Sequence, residues 1–172
     1  MDNLKAEMQR NGLTVKDIIA FADEVDLDDV RAPIARQIEY NTAIAEAGLT
    51  GQYGAAIGKI LLDSYGDSVQ NRAKAWAAAG SDARMNGCEK PVVINSGSGN
   101  QGMTASLPVI KYAQHIGATR EQLYRALVVS NLVTIHLKTG IGSLSAYCGA
   151  TSAGAGAGAG RSEERRVGKE CL

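Results

Sequence analysis

Apolar residues recur at intervals of three and four along most of this chain, a period that commits it to packed helices rather than to a sheet. Thr14 followed by Asp17 has the pattern of an N-cap with an acidic third position, and Val15, Ile18, Ile19, Ala22 and Val25 then share one face. After Asp28 and Asp29 the period continues through Val30, Ile34, Ile38 and Ala45. Pro33 is expected in the first turn there, where a missing N–H costs little, and Gly48 closes the segment. Residues 51–65 carry Tyr53, Ile57, Ile60, Leu61 and Leu62, and Gly54 and Gly58 stand where a neighbouring backbone could come close. Residues 67–79 are alanine-rich around Trp76 and favour helix by propensity. Residues 103–116 read as a helix with Pro108 near its start and Gly117 after its end. Thr119 and Gln122 form a capping-box pattern ahead of Leu123, Leu127, Val128, Leu132 and Ile135. That segment is apolar nearly all round and is expected at the centre, although Val128, Val129, Val133, Thr134 and Ile135 would also suit a strand. The fold expected is mainly α, with a short extended piece near residues 91–95.

Composition narrows what such a bundle serves. The chain has 172 residues, 45% of them apolar, enough for one real core and one domain. Lysine and arginine balance aspartate and glutamate at 18 each, so no global field draws it to nucleic acid or acidic lipid. One Trp and one Phe do not make a base-stacking platform. Met1 to Lys5 lacks the apolar core of a signal peptide, and the most apolar run, Leu123 to Leu137, is broken by Arg125, Ser130, Asn131, Thr134 and His136. The expectation is a cytoplasmic protein with no nucleic-acid partner and no membrane span. Cys88, Cys148 and Cys171 are widely spaced, with no C-x-x-C pair, and read as free thiols.

Between the helical segments lies the stretch from Asp82 to Gly102, which brings together a thiol, charged residues and the run Ser96-Gly97-Ser98-Gly99-Asn100-Gln101-Gly102. Glycines at 97, 99 and 102 permit backbone angles that let N–H groups converge on an anion, with Ser96, Ser98 and Asn100 adding donors; a flexible turn is the alternative. Gly97 to Gly102 also matches G-x-G-x-x-G after Val92-Val93-Ile94 and before a helix, the context of a dinucleotide-binding module. No second strand ending in an acidic residue follows. Residues 140–149, with Ser143, Ser145, Tyr147 and Cys148, read as a loop. The alternation of Ala and Gly over residues 153–160 fits either a flexible segment or a small-residue face inside a bundle.

Three segments together resemble the iron-sulfur-dependent L-serine dehydratase alpha-chain superfamily, within it the branch that includes L-cysteine desulfidase. They are residues 80–88, residues 91–102, and Ser145-Ala146-Tyr147-Cys148-Gly149-Ala150-Thr151-Ser152-Ala153-Gly154, with Tyr40-Asn41 and Tyr53-Gly54 in the same pattern. The resemblance covers roughly residues 10–160 and implies part of a helical catalytic domain, an incomplete fragment. It implies a lyase that removes the Cα proton and the β-substituent of L-cysteine or L-serine, giving pyruvate and ammonia, with sulfide from cysteine. It further implies a [4Fe–4S] cluster with one open iron, able to act as a Lewis acid on the departing group. Cys148 matches the first cluster ligand; the other two ligands are implied in a segment beyond Leu172, and a thiol base in a portion before Met1. Ser96, Ser98, Gly99 and Asn100 match the loop that holds the substrate's carboxylate and amino groups. Arg84 is a further carboxylate partner, or else an ion pair with Asp82 or Glu89. Cys88 matches no ligand position and reads as a supporting thiol; His136 reads as a core residue and His115 as a surface one. A small amino acid is the implied partner, a homo-oligomer is compatible with the sequence, and the fragment alone is expected to be inactive. Residues 161–172 change composition abruptly, and resemble translated adapter or vector sequence or a solvated tail.

Overall fold

The computed structural model describes residues 13–142 and 148–169, the last six of them as backbone only. Among the described residues there are seven helices and no strand: α1 (Val15–Glu24), α2 (Leu27–Thr50), α3 (Ile57–Tyr65), α4 (Val69–Met85), α5 (Gly99–Ile116), α6 (Arg120–Ile141) and α7 (Ala150–Lys169). The capping boxes expected at Thr14/Asp17 and Thr119/Gln122 form with both of their reciprocal bonds. The β-branched stretch of α6 is helix, because its apolar face packs on α5 and α7 and this tertiary burial outweighs strand propensity.

Several boundaries differ from the sequence reading. Pro33 lies in the second turn of α2 rather than the first, with the carbonyl it leaves unpaired on exposed Asp29. The segment from Gly51 turns irregularly through Gly54 and Ala56, both at positive φ, before α3 begins at Ile57. Helix α4 runs to Met85, so Asp82 and Arg84 are helical. Helix α5 begins at Gly99, which places Asn100, Gln101 and Gly102 in its first turn and Pro108 in its interior. Eleven of the 18 residues of α5 are buried against eight of the 22 in α6, so α5, not α6, is the centre. It touches α2, α4, α6 and α7. Helix α7 continues through position 160 without a break.

Small residues let these helices approach at backbone distance. A Cβ on Gly48 of α2 would collide with the carbonyl of Ala79 in α4, and one on Gly58 of α3 with that of Ala75. In α7 the alanine-glycine alternation sorts by helical phase. Gly156 and Gly160 meet the backbone of α6 at Ser130 and Ala126, whereas Gly154 and Gly158 face open space. That pattern makes residues 153–160 a packed face. The apolar core gathers Ile18, Ile44, Met103, Leu107, Ile110 and Leu127 from four helices. No described helix is long and apolar enough to cross a membrane.

One charge lies within this packing. Lys111 of α5 is 5% exposed; its Nζ stands 3.1 Å from the centroid of Trp76 and donates to Gln114 Oε1 at 3.1 Å. Burial, then repulsion from Arg72, pushes its pKa down to about 8, against the pull of Glu46. Between that value and an ordinary lysine's, the unfolded chain binds more proton than the folded one, so folding gains from rising pH. Relative to Lys111→Met, the wild type should gain at most ~3 kcal/mol between pH 7 and 10.5, read from paired urea unfolding curves; a constant difference would contradict this. A second pair of variants tests the packing: Gly48→Ala should lose about 1–3 kcal/mol by overpacking, while Gly158→Ala should gain about 0.5–1 kcal/mol by propensity.

Candidate functional site

The site grows from the irregular link between α4 and α5. After Gly87 the chain passes Cys88, whose N–H donates to Ala83 O at 3.0 Å, and runs to a tight turn at 95–98 without a strand partner. Its ladder bonds are replaced by one side chain. Asn41 of α2, fully buried, accepts from Val93 N–H through Oδ1 at 2.8 Å and donates through Nδ2 to Val93 O at 3.3 Å and Ser106 Oγ at 3.0 Å. Since Val93 is held by a carboxamide and not by a sheet, the strand that a dinucleotide fingerprint requires before its glycines is missing among the described residues.

Asn95 and Ser98 exchange both backbone bonds, at 3.1 and 3.0 Å, across Ser96 (φ 49°) and Gly97 (φ 81°). Two positive φ values at the central positions make this a primed turn, and Ser96 takes a backbone conformation that non-glycine residues rarely adopt. The turn is anchored beneath. Ser96 Oγ donates to Asn95 Oδ1 at 2.8 Å, Asn95 Nδ2 to Asn131 Oδ1 at 2.9 Å, and Asn131 and Gln37 exchange amide bonds at 2.8 and 2.9 Å. This carboxamide chain from α2 through α6 has no signature in the sequence, because Gln37 and Asn131 each resemble an ordinary polar position on a helix and Asn95 an ordinary turn residue.

Of the three glycines in the run 97–102, Gly97 alone takes a positive φ. Gly99 and Gly102 are helical and are needed for proximity: a Cβ on the first would meet Arg84 Nε and Val92, and on the second the carbonyl of Val93. Ser98 caps α5 by accepting from Gln101 N–H at 3.5 Å. The N–H groups of Gly99 and Asn100 make no hydrogen bond among the described residues and head an 18-residue helix, an arrangement that favours an anion. Arg84 is exposed, packs over Gly99, and donates to Asn100 Oδ1 at 3.1 Å and toward Met85 Sδ at 3.4 Å. It forms no ion pair among the described residues. Asp82 accepts instead from Ile57 N–H at 2.9 Å, fixing the start of α3. Arg84, Ser98, Gly99 and Asn100 are thus brought together, with Ser96 at the turn beside them.

Cys148 is exposed just before α7. The following residue, Gly149, packs against the amide of Gln101 in the first turn of α5, which joins the cysteine turn to the serine turn. Cys88 is half-buried against the core, and its thiol is bonded to Tyr53, whose hydroxyl is held above the usual tyrosine range by that bond, then by the Cys88 charge, burial and Glu89. His136 is half-buried and His115 exposed. Ser143, Ser145 and Tyr147 lie outside the described residues, as does Cys171. Among the described residues no group of three or more His, Cys, Asp or Glu side chains could hold a metal ion. A four-iron cluster is held by about four thiolates or by three with one open iron, and Cys148 is a single thiol, so the described residues do not fit that group.

A family model described as serine dehydratase alpha chain matches residues 2–164. A UPF0597 protein of Desulfitobacterium hafniense is 65% identical over 151 residues, covering 88% of this chain and 35% of its own length. UPF0597 proteins of Lachnoclostridium phytofermentans and Bacteroides fragilis are 61% and 42% identical, over 86% and 82% of this chain and 36% and 34% of their own lengths. The chain therefore spans about a third of the length of the curated relatives it matches. No solved structure matches.

Because Asn41 satisfies three buried groups at once, Asn41→Ala should destabilise the fold by about 2–4 kcal/mol, more than Ser98→Ala, which loses one cap worth about 1 kcal/mol. Thermal unfolding of the two variants in parallel checks the order.

Proposed function

The chain belongs to the serine dehydratase alpha-chain family, and from that premise we propose that the longer protein is a lyase for small β-substituted amino acids, L-serine or L-cysteine. This chain supplies its substrate turn. The observation that supports the reading is the meeting of Arg84, the unbonded N–H groups of Gly99 and Asn100, and the Cys148–Gly149 turn around Gln101. A substrate carboxylate fits the first of these. Two helix-terminal N–H groups and a guanidinium can hold it by charge-assisted bonds, with Asn100 Oδ1 keeping the guanidinium aimed. The reacting carbons would then lie toward Cys148.

In the proposed reaction a base takes the Cα proton and the β-hydroxyl or thiol departs with the electron pair. The resulting aminoacrylate tautomerises to an imine, which water hydrolyses to pyruvate and ammonia. The base belongs to parts of the protein outside this chain, as do the remaining thiolates that the iron-sulfur chemistry of the family calls for. Residues 1–160 are the catalytic-domain portion in this reading and 161–172 an unrelated tail. A dinucleotide module at Gly97–Gly102 is disfavoured by the helical neighbourhood of the loop. Cytoplasmic location and self-association remain part of the proposal.

The test compares two lengths. Purified without oxygen, the longer protein should release pyruvate from L-serine or L-cysteine, and the 172-residue chain should release none. In the longer protein Arg84→Lys should lower kcat/KM roughly 10- to 100-fold, mainly through KM, because the bidentate grip is lost. Steady pyruvate formation by the short chain, or none from the longer one with either amino acid, would overturn the reading.

A further inference from the structure

Ser98 and Gln101 have the spacing of a capping box, the same spacing that closes reciprocally in α1 and α6. In α5 it closes only halfway. Ser98 accepts from Gln101 N–H, but Ser98 N–H is already engaged with Asn95 O in the primed turn, so the Gln101 side chain has no cap bond to make. It turns away toward α7, where it occupies the space that a Cβ on Gly149 would fill. Gln101 is 8% exposed, and its Oε1 is buried with no hydrogen-bond partner among the described residues. A buried carbonyl oxygen without a donor is costly to maintain, and in native structures such groups are few. This one stands between two helix N-termini, α5 on one side and the 20-residue α7 on the other, beside exposed Cys148.

We propose that Gln101 is a specificity-determining residue that reads the β-substituent of the bound amino acid, with its Oε1 accepting from a β-hydroxyl or β-thiol. The inference rests on the amino-acid reading of the turn. The chemistry of the position selects the donor. An oxygen acceptor needs an O–H, S–H or N–H, and the positive ends of two helices make the neighbourhood unfavourable to an ammonium while leaving a neutral hydroxyl or thiol unpenalised. The geometry follows the same order. With the carboxylate at Arg84 and the head of α5, the next residue of that helix, Gln101, packs its amide on Gly149, the neighbour of Cys148. The lack of a side chain at Gly149 is what lets the amide reach that place.

The experiment titrates the 172-residue chain with L-serine, L-cysteine and L-alanine under reducing conditions, by calorimetry and by the side-chain amide resonances of ¹⁵N-labelled protein. Alanine keeps the carboxylate and ammonium and lacks the β-donor. Wild type should bind L-serine or L-cysteine at least about tenfold more tightly than L-alanine, the order expected for one hydrogen bond to a buried group. Gln101→Met should bring that ligand down to the alanine level while leaving alanine affinity unchanged within about twofold; Gly149→Ala, which displaces the amide, should do the same. Should either variant fail to fold, the wild-type spectrum decides, since the Gln101 amide resonance should shift with the β-substituted ligand and not with alanine. Equal loss of all three affinities in Gln101→Met, a surviving β-substituent preference, or an unmoved Gln101 resonance in the presence of bound serine and cysteine would overturn the inference while leaving the carboxylate site intact. Binding of none of the three by wild type would instead remove the amino-acid reading of the turn, and the inference with it.

Discussion

A single buried carboxamide holds the link from which the site is built. Asn41 lies on α2, far from the loop in sequence, yet it provides both a donor and an acceptor to Val93, as a neighbouring strand would. Without such a partner a segment threaded between helices would leave backbone groups unpaired, and a buried unpaired group costs about as much as several surface contacts contribute. Its second donor bond, to Ser106 Oγ, registers α2 against α5 at the same point. Ser106 in turn donates to Gly102 O, so the first turn of α5 is tied to the residue that orients the link before it. The primed turn therefore stands on a fixed base, and the strained φ of Ser96 is held by bonds on both sides of it.

Close backbone packing at the neighbouring interfaces surrounds this polar register. Gly48 against Ala79 and Gly58 against Ala75 bring α2 and α3 onto α4, and Gly156 and Gly160 bring α7 onto α6. The same device operates within the site. Gly99 admits Arg84, Gly102 admits the carbonyl of Val93, and Gly149 admits Gln101. In each case the absent Cβ is replaced by a polar group of another element, so the glycines of the loop carry rigidity and not mobility. An anion arriving at the head of α5 meets groups already oriented, which limits the ordering cost of binding.

Much of this was legible in the sequence, and the remainder fails for identifiable reasons. Both reciprocal capping boxes, the apolar period and the helical class follow from local rules, since a cap involves residues three apart and a helical face repeats within four. The resemblance located Cys148 and the Ser96 to Asn100 turn in separate motifs, and the fold brings them within reach of each other through Gln101. Helix limits near glycine do not follow from local propensity. Glycine at 99 and 102 reads as a helix breaker by propensity, but tertiary contact with Arg84 and Val93 makes it necessary inside a helix. Likewise Arg84 had two plausible partners by sequence proximity, and its actual one, Asn100, is supplied by the packing of α4 on α5. The chain of Gln37, Asn95 and Asn131 connects residues up to 94 positions apart, and no local pattern marks it.

The remaining asymmetry of the site lies in its charge. One cation, Arg84, stands over the N-terminus of α5, and the N-terminus of α7 reaches the same helical turn where Gly149 packs on Gln101, so positive potential is concentrated at this turn in a chain of zero formal net charge. Surface steering cannot be its purpose in a balanced molecule; the field is local and short-ranged. A local field of this kind stabilises a bound carboxylate and also any negative charge that develops on a departing hydroxide or sulfide nearby, provided water is excluded. The exposed edge at Arg84 and Cys148 does not exclude water by itself. In the proposed lyase the enclosure, the base and the further thiolates belong to the two-thirds of the relatives' length that this chain does not span, and the bonded turn of this chain supplies the fixed side of the site.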